Sequence, residues 1–199
     1  MLALIDTCSL LRLCQYYIPF DRNNKLQDFL SAQYYAKNLQ IIDAVYEESS
    51  YMQKGKILKT LSFIKRNECP DTSELSISKR ISNMIDNQFC NKLIKKKLER
   101  NFKDDWPTLY DQQKQIFMKS GDFRLILFAE YIKRQIGNDL FKNEDKALIV
   151  TDESTSENDG KLFRKLPNCC QESKLEHLCL VEYLKVCKVD IDWKIPERQ

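Results

Sequence analysis

The chain opens with an unbroken apolar run, Leu2 to Ile5, that stops at Asp6. A short apolar run without alternation predicts a strand buried on both faces, as in a parallel sheet. Helical patterning follows. DTCSLLRLCQYY begins with cap-type residues, and in NKLQDFLSAQYYAKN the side chains of Leu26, Phe29, Leu30 and Gln33/Tyr34 share one face at helical spacing. LQII reads as a second strand leading into the helix DAVYEESS, ALIVT as a third and HLCLV as a fourth. SGDFRLILFAEYIKRQ, PNCCQES and EYLKVCK read as helices. Strands alternating with helices predict an α/β protein, a three-layer α/β/α fold around a central, mainly parallel sheet.

Between about residues 52 and 118 the pattern is helical and polar. Ile77, Ile81, Ile85, Phe89 and Leu93 recur every fourth residue, which predicts an apolar stripe on one long helix whose other faces carry Lys92, Lys95, Lys96 and Lys97. The segment reads as a helical insertion within a single domain spanning 1–199. Gly (4) and Pro (5) are scarce, and no Ser/Gly-rich linker or fixed-period repeat divides the chain.

Charge sharpens this picture. The net charge is only +3, yet Lys54 to Lys103 carries 13 Lys/Arg against 5 Asp/Glu, leaving 19 of the 32 basic and 24 of the 29 acidic residues to the remainder. A basic middle beside an acidic remainder suits a polyanion such as nucleic acid, although a solvated lysine-rich helix has the same composition. No stretch approaches a membrane span, the apolar start lacks a basic lead, and the eight cysteines follow no regular spacing. A cytoplasmic protein with reduced thiols is the expectation.

The acids then become the candidate chemistry. In open parallel sheets, sites form beyond the carboxyl ends of the strands. Asp6 follows the first strand, and Thr151, Asp152 and Glu153 follow the third. Asp122 heads a helix whose Leu125, Ile126, Ala129 and Ile132 make the apolar face, which turns its carboxylate inward. Glu48 lies one turn after Val45 and is the inward member of the pair Glu47-Glu48 if Val45 packs. Any one of these acids suits a cap or a turn. Gathered together they repel, and a hard divalent cation relieves that repulsion; Mg²⁺ or Mn²⁺ held by Asp6, Glu48, Asp122 and Asp152 would support in-line attack on a phosphodiester.

This order of motifs resembles the PIN-domain family of metal-dependent nucleases. LIDTCSLLRL matches its first strand, acid and hydroxyl; Val45 to Glu48 its V-x-x-E helix start; GDFRLILFA its third acidic segment; ALIVTDE its last strand, which closes in Thr and acids. RKLPNCC is similar to a segment of a bacterial branch of that family. The resemblance implies a PIN-like fold and an endoribonuclease using Mg²⁺ or Mn²⁺. In bacteria it implies the toxin of a toxin–antitoxin or defence module, often a homodimer, acting on tRNA or other RNA, with DNA also open as substrate. Thr7 and Ser9 would hydrogen-bond the metal-bound water or the Asp6 carboxylate, and Lys95, Lys96, Lys97 and Arg100 would guide the phosphate backbone. The chain departs from the family pattern in having Thr151-Asp152-Glu153 where many members have Thr-x-Asp, so Asp152, Glu153 or Asp159 is the last ligand. The insertion is also longer than a minimal PIN domain holds.

Other readings fit less well. An aspartyl-phosphate phosphatase needs a second acid two residues after the first, where Cys8 stands, and a receiver domain needs its phosphorylated Asp after a middle strand. One histidine, His177, gives no basis for a Ser/His triad. Cys169, Cys170, Cys179 and Cys187 lack the C-x₂-C spacing of a zinc site. The rival of a different class is a PIN-like scaffold that binds nucleic acid or protein without catalysis.

Overall fold

A computed structural model describes residues 1–137, 147–156 and 160–189. Its strands are β1 (Leu2–Ile5), β2 (Leu39–Gln40), β3 (Ala147–Val150) and β4 (Glu176–Leu178), all parallel, in the order β2-β1-β3-β4. The helices are α1 (Thr7–Arg12), α2 (Lys25–Tyr35), α3 (Asp43–Tyr51), α4 (Lys56–Thr60), α5 (Lys79–Met84), α6 (Lys92–Phe102), α7 (Trp106–Lys119), α8 (Gly121–Gly137), α9 (Leu166–Ser173) and α10 (Leu180–Val186). They flank the sheet in the three-layer α/β/α arrangement. No helix among the described residues is long and apolar enough to cross a membrane.

The central strands are apolar because both faces are covered: Ala3, Leu4, Ile5 and all of β3 are buried. Ile5 stands opposite Val150 in register, so the residues that follow them, Asp6 and Thr151, emerge side by side at the same edge. The strands expected at LQII and HLCLV are shorter than the apolar runs. Ile41 and Ile42 are buried beyond the end of β2, and Ile42 is already the N-cap of α3. Cys179 likewise caps α10, its N–H donating to Glu182 Oε2 at 2.9 Å, so the chain leaves the sheet after Leu178.

The expected long helix across Ile77 to Leu93 does not form. α5 ends at Met84, one wide helical turn carries Ile85–Phe89, and Cys90 then forms an isolated antiparallel bridge with Phe163. Asn91 restarts the chain as α6 by accepting the N–H groups of Leu93 and Ile94 on Oδ1. The apolar stripe is therefore split: Ile81, Ile85 and Phe89 are buried, whereas Ile77 is 39% and Leu93 72% exposed. α6 and α7 form a hairpin rooted by Asp86, which accepts from Tyr110 Oη at 2.7 Å and Lys114 Nζ at 2.6 Å. At its base Phe117 stacks on Phe163, with ring centroids 4.5 Å apart.

Candidate functional site

β1 and β3 deliver the first part of the site. The Asp6 carboxylate is buried between two donors: Ser9 N–H donates to Oδ1 at 2.6 Å, and Thr151 Oγ1 donates to Oδ2 at 2.6 Å. Asp6 is thus the N-cap of α1 and also the partner of Thr151, the residue that follows β3. Burial lifts its carboxyl to about 6 against the opposing pull of these hydrogen bonds, and the nearby Glu153 charge raises it further.

α3 and α8 deliver the second part. Val45 is fully buried, which turns Glu48 inward as its spacing predicts. Glu48 Oε2 accepts from Thr7 Oγ1 at 2.6 Å, and Oε1 accepts from Gly121 N–H at 2.8 Å. Its neighbour Glu47 faces solvent beside Arg66, 3.4 Å away. Asp122, the residue after Gly121, carries a carboxyl pushed up to about 8. Burial is the main cause, followed by the charges of Glu153, Asp6 and Glu48, with Lys161 acting in the opposite sense. The charges acting on Asp122 thus come from three other segments: after β1, on α3 and after β3.

The two acids after Thr151 go different ways. Asp152 Oδ1 accepts from Leu180 N–H at 3.0 Å, and Oδ2 lies 3.9 Å from Arg12, so this carboxylate serves the start of α10. Glu153 Oε2 accepts from Leu166 N–H at 3.1 Å at the start of α9, and its charge reaches both Asp6 and Asp122. Asp159 lies outside the described residues. Of the two hydroxyl residues expected to serve Asp6, Ser9 does so and Thr7 serves Glu48 instead. Thr7 donates to Glu48, Ser9 uses its backbone N–H on Asp6, and its hydroxyl donates to Val150 O at 3.4 Å and accepts from Asp152 N–H at 2.9 Å.

All these side chains present oxygen, the donor type a hard cation takes. As arranged, however, no group of three or more His, Cys, Asp or Glu side chains among the described residues is positioned to hold a metal ion. The hydrogen bonds give the physical reason. Glu48 and Glu153 accept backbone N–H groups of helix first turns, where partial positive charge stabilises them. Among the described residues Asp122 has no such partner, and its burial raises its affinity for a proton.

Of the expected basic residues, Lys95 is folded onto the hairpin. Its Nζ lies 4.7 Å from the Tyr110 ring centroid and 5.7 Å from that of Trp106. Lys96, Lys97 and Arg100 are exposed on α6.

Sequence reasoning missed three features. Lys161 is the cation nearest in effect to Asp122, and nothing in its local sequence marks it. Cys169 and Cys170 are fully buried close enough to feel the Asp122 charge; burial keeps both thiols protonated, with Cys170 pushed up to about 12. A cavity of about 700 Å³ runs from Asp122 and Glu153 along the α6–α7 hairpin. The helical reading of about 52–118 carried no sign of it.

No protein-family model, curated protein or solved structure matches this chain.

Proposed function

We propose that the protein is a metal-dependent endoribonuclease whose acidic centre comprises Asp6, Glu48, Asp122 and Glu153. The observation that carries this reading is geometric: at the carboxyl edge of the parallel sheet Thr151 bonds Asp6, the adjacent Thr7 bonds Glu48, and Glu48 accepts the N–H of Gly121 beside Asp122. Folding alone favours no such grouping. Burial first, and then the charges of Glu153, Asp6 and Glu48, disfavour the ionised form of Asp122, and a bound cation would favour that form.

Mg²⁺ or Mn²⁺ held by these acids would activate water and stabilise charge on the phosphodiester. The chain's own residues supply the rest. Thr151 and the Ser9 N–H fix the Asp6 carboxylate, Thr7 and the Gly121 N–H fix Glu48, and the Leu166 N–H orients Glu153. Lys161 and the exposed Lys96, Lys97 and Arg100 supply positive potential for an RNA backbone. Asp152 supports α10 in this reading rather than the metal.

One observation favours the rival, a PIN-like binding module: Glu48, Asp152 and Glu153 each accept a backbone N–H at a helix start, a structural use that needs no metal. Total tRNA, unstructured RNA and single-stranded DNA, each incubated with Mn²⁺, Mg²⁺ or EDTA, separate the two. Cleavage of RNA that needs metal and is lost in both Asp6→Asn and Asp122→Asn supports the nuclease. A folded protein that neither cleaves nor binds Mn²⁺ overturns it.

A further inference from the structure

The cavity beside the acids has two chemical ends. Its walls are apolar side chains of the hairpin and the loop before α9, among them Leu98, Phe102, Leu109, Ile116 and Phe163. Its other end is polar and charged, with Asp122, Glu153, Lys161, Arg164 and Lys165. The volume, about 700 Å³, lies within the roughly 300–1,000 Å³ typical of sites that enclose a small organic group. Phe102 and Ile116 are 48% and 67% exposed, a large apolar area to leave in water beside a charged centre. Gln113 is the exposed side chain of this lining able both to donate and to accept a hydrogen bond.

We infer that this cavity takes one unpaired nucleobase of single-stranded RNA, next to the phosphate presented to the acids. The inference rests on the nuclease reading for the orientation of the strand, and it names the substrate's form. A base is flat, apolar on its faces and polar at its edge, which matches aromatic and aliphatic walls with a single amide. Its phosphate is anionic, which matches Lys161 at the charged end of the cavity. A duplex keeps its bases stacked and cannot fill the cavity, so the site selects unpaired nucleotides.

The test uses the full chain in EDTA, where strand cleavage is stopped, and a fluorescein-labelled mixed-sequence RNA hexamer beside the same hexamer built of abasic ribose units. Anisotropy is expected to show the base-bearing hexamer binding about tenfold tighter or more. In Phe102→Ala and Ile116→Ser, at exposed positions where the fold tolerates change, that ratio is expected to fall toward one while abasic binding stays the same. Equal binding of the two hexamers by the unaltered protein overturns the inference, as does a ratio unchanged in both variants or an absence of binding to either hexamer. A base-dependent ratio from a protein that neither cleaves with Mn²⁺ nor binds it would sink the nuclease reading and leave the cavity as the base-reading surface of a binding module.

Discussion

Glu48 occupies the space into which a side chain at Gly121 would grow: a Cβ there would lie 2.8 Å from Oε2 and 2.9 Å from Oε1. The same carboxylate accepts the Gly121 N–H, so the glycine lets α3 and the start of α8 meet through one hydrogen bond. Gly121→Ala is expected to push Glu48 away from Asp122. Because alanine also favours helix, by up to about 1 kcal/mol, stability should change little. Metal-dependent cleavage should fall about tenfold or more, a split read by thermal melting beside a cleavage assay.

Asp122 makes the metal-free protein pH-sensitive. Its carboxyl holds a proton to about pH 8 in the fold and to about 3.8 when unfolded, so between those values the folded state binds more protons and stability falls as pH rises. Asp6, lifted to about 6, adds to the fall over the lower part of the same range. Asp122→Asn is expected to flatten this slope and, at pH 8 in EDTA, to stabilise by about 2 kcal/mol, a rise in Tm of roughly 4–8 °C. Melting curves from pH 5 to pH 8.5 check it; a variant with the parental slope would refute the assigned cause.

Thr151→Val removes the hydroxyl that serves Asp6 Oδ2 and leaves the buried carboxylate short of a donor. A loss of about 1–3 kcal/mol at neutral pH is expected, shrinking as the pH drops and Asp6 takes up its proton. Denaturant unfolding at pH 5 and pH 7.5 reads the difference.

Asp152 and Glu153 are expected to separate by function. Asp152→Ala removes a cap from α10 and should cost about 0.5–2 kcal/mol with cleavage retained. Glu153→Gln keeps an oxygen able to accept the Leu166 N–H while removing the charge that acts on Asp122, so cleavage should fall with little loss of stability. Retained cleavage in Glu153→Gln together with loss in Asp152→Ala would reverse the assignment.

Lys95 differs from its neighbours. Alanine at Lys96, Lys97 and Arg100 together should weaken RNA binding and flatten its salt dependence, each lost phosphate contact lowering the slope by about 0.7 for a single strand. Lys95→Ala should instead loosen the hairpin by about 0.5–1 kcal/mol, because its charge rests on Trp106 and Tyr110. Filter binding across a salt series and melting curves distinguish these effects.

The convergence of Asp6 with Thr151 was legible because parallel neighbours of like length end at one edge, and apolar runs mark both strands. Glu48 was legible from Val45, since burial of one residue fixes the direction of the next turn. The roles of Asp152 and Glu153 were not, because each is decided by which distant helix start, Leu180 or Leu166, it meets. The false long helix has a similar origin. Its stripe continues in register through Cys90, and the chain turns there because Phe163, far downstream, offers a bridge.

That bridge binds the middle of the chain to the loop between β3 and α9. Asn91 N–H donates to Leu162 O and Arg164 N–H to Phe89 O, each at 2.8 Å. What reads as one inserted segment therefore behaves as two parts with different tolerance to change in length. Residues added at the turn from Phe102 to Asp105, where Lys103 has positive φ, would extend a hairpin tip. A single residue added near Cys90 would slide the clasp and drag the cavity wall away from Asp122. A series of single-residue insertions across 86–106 would map that difference onto folding yield.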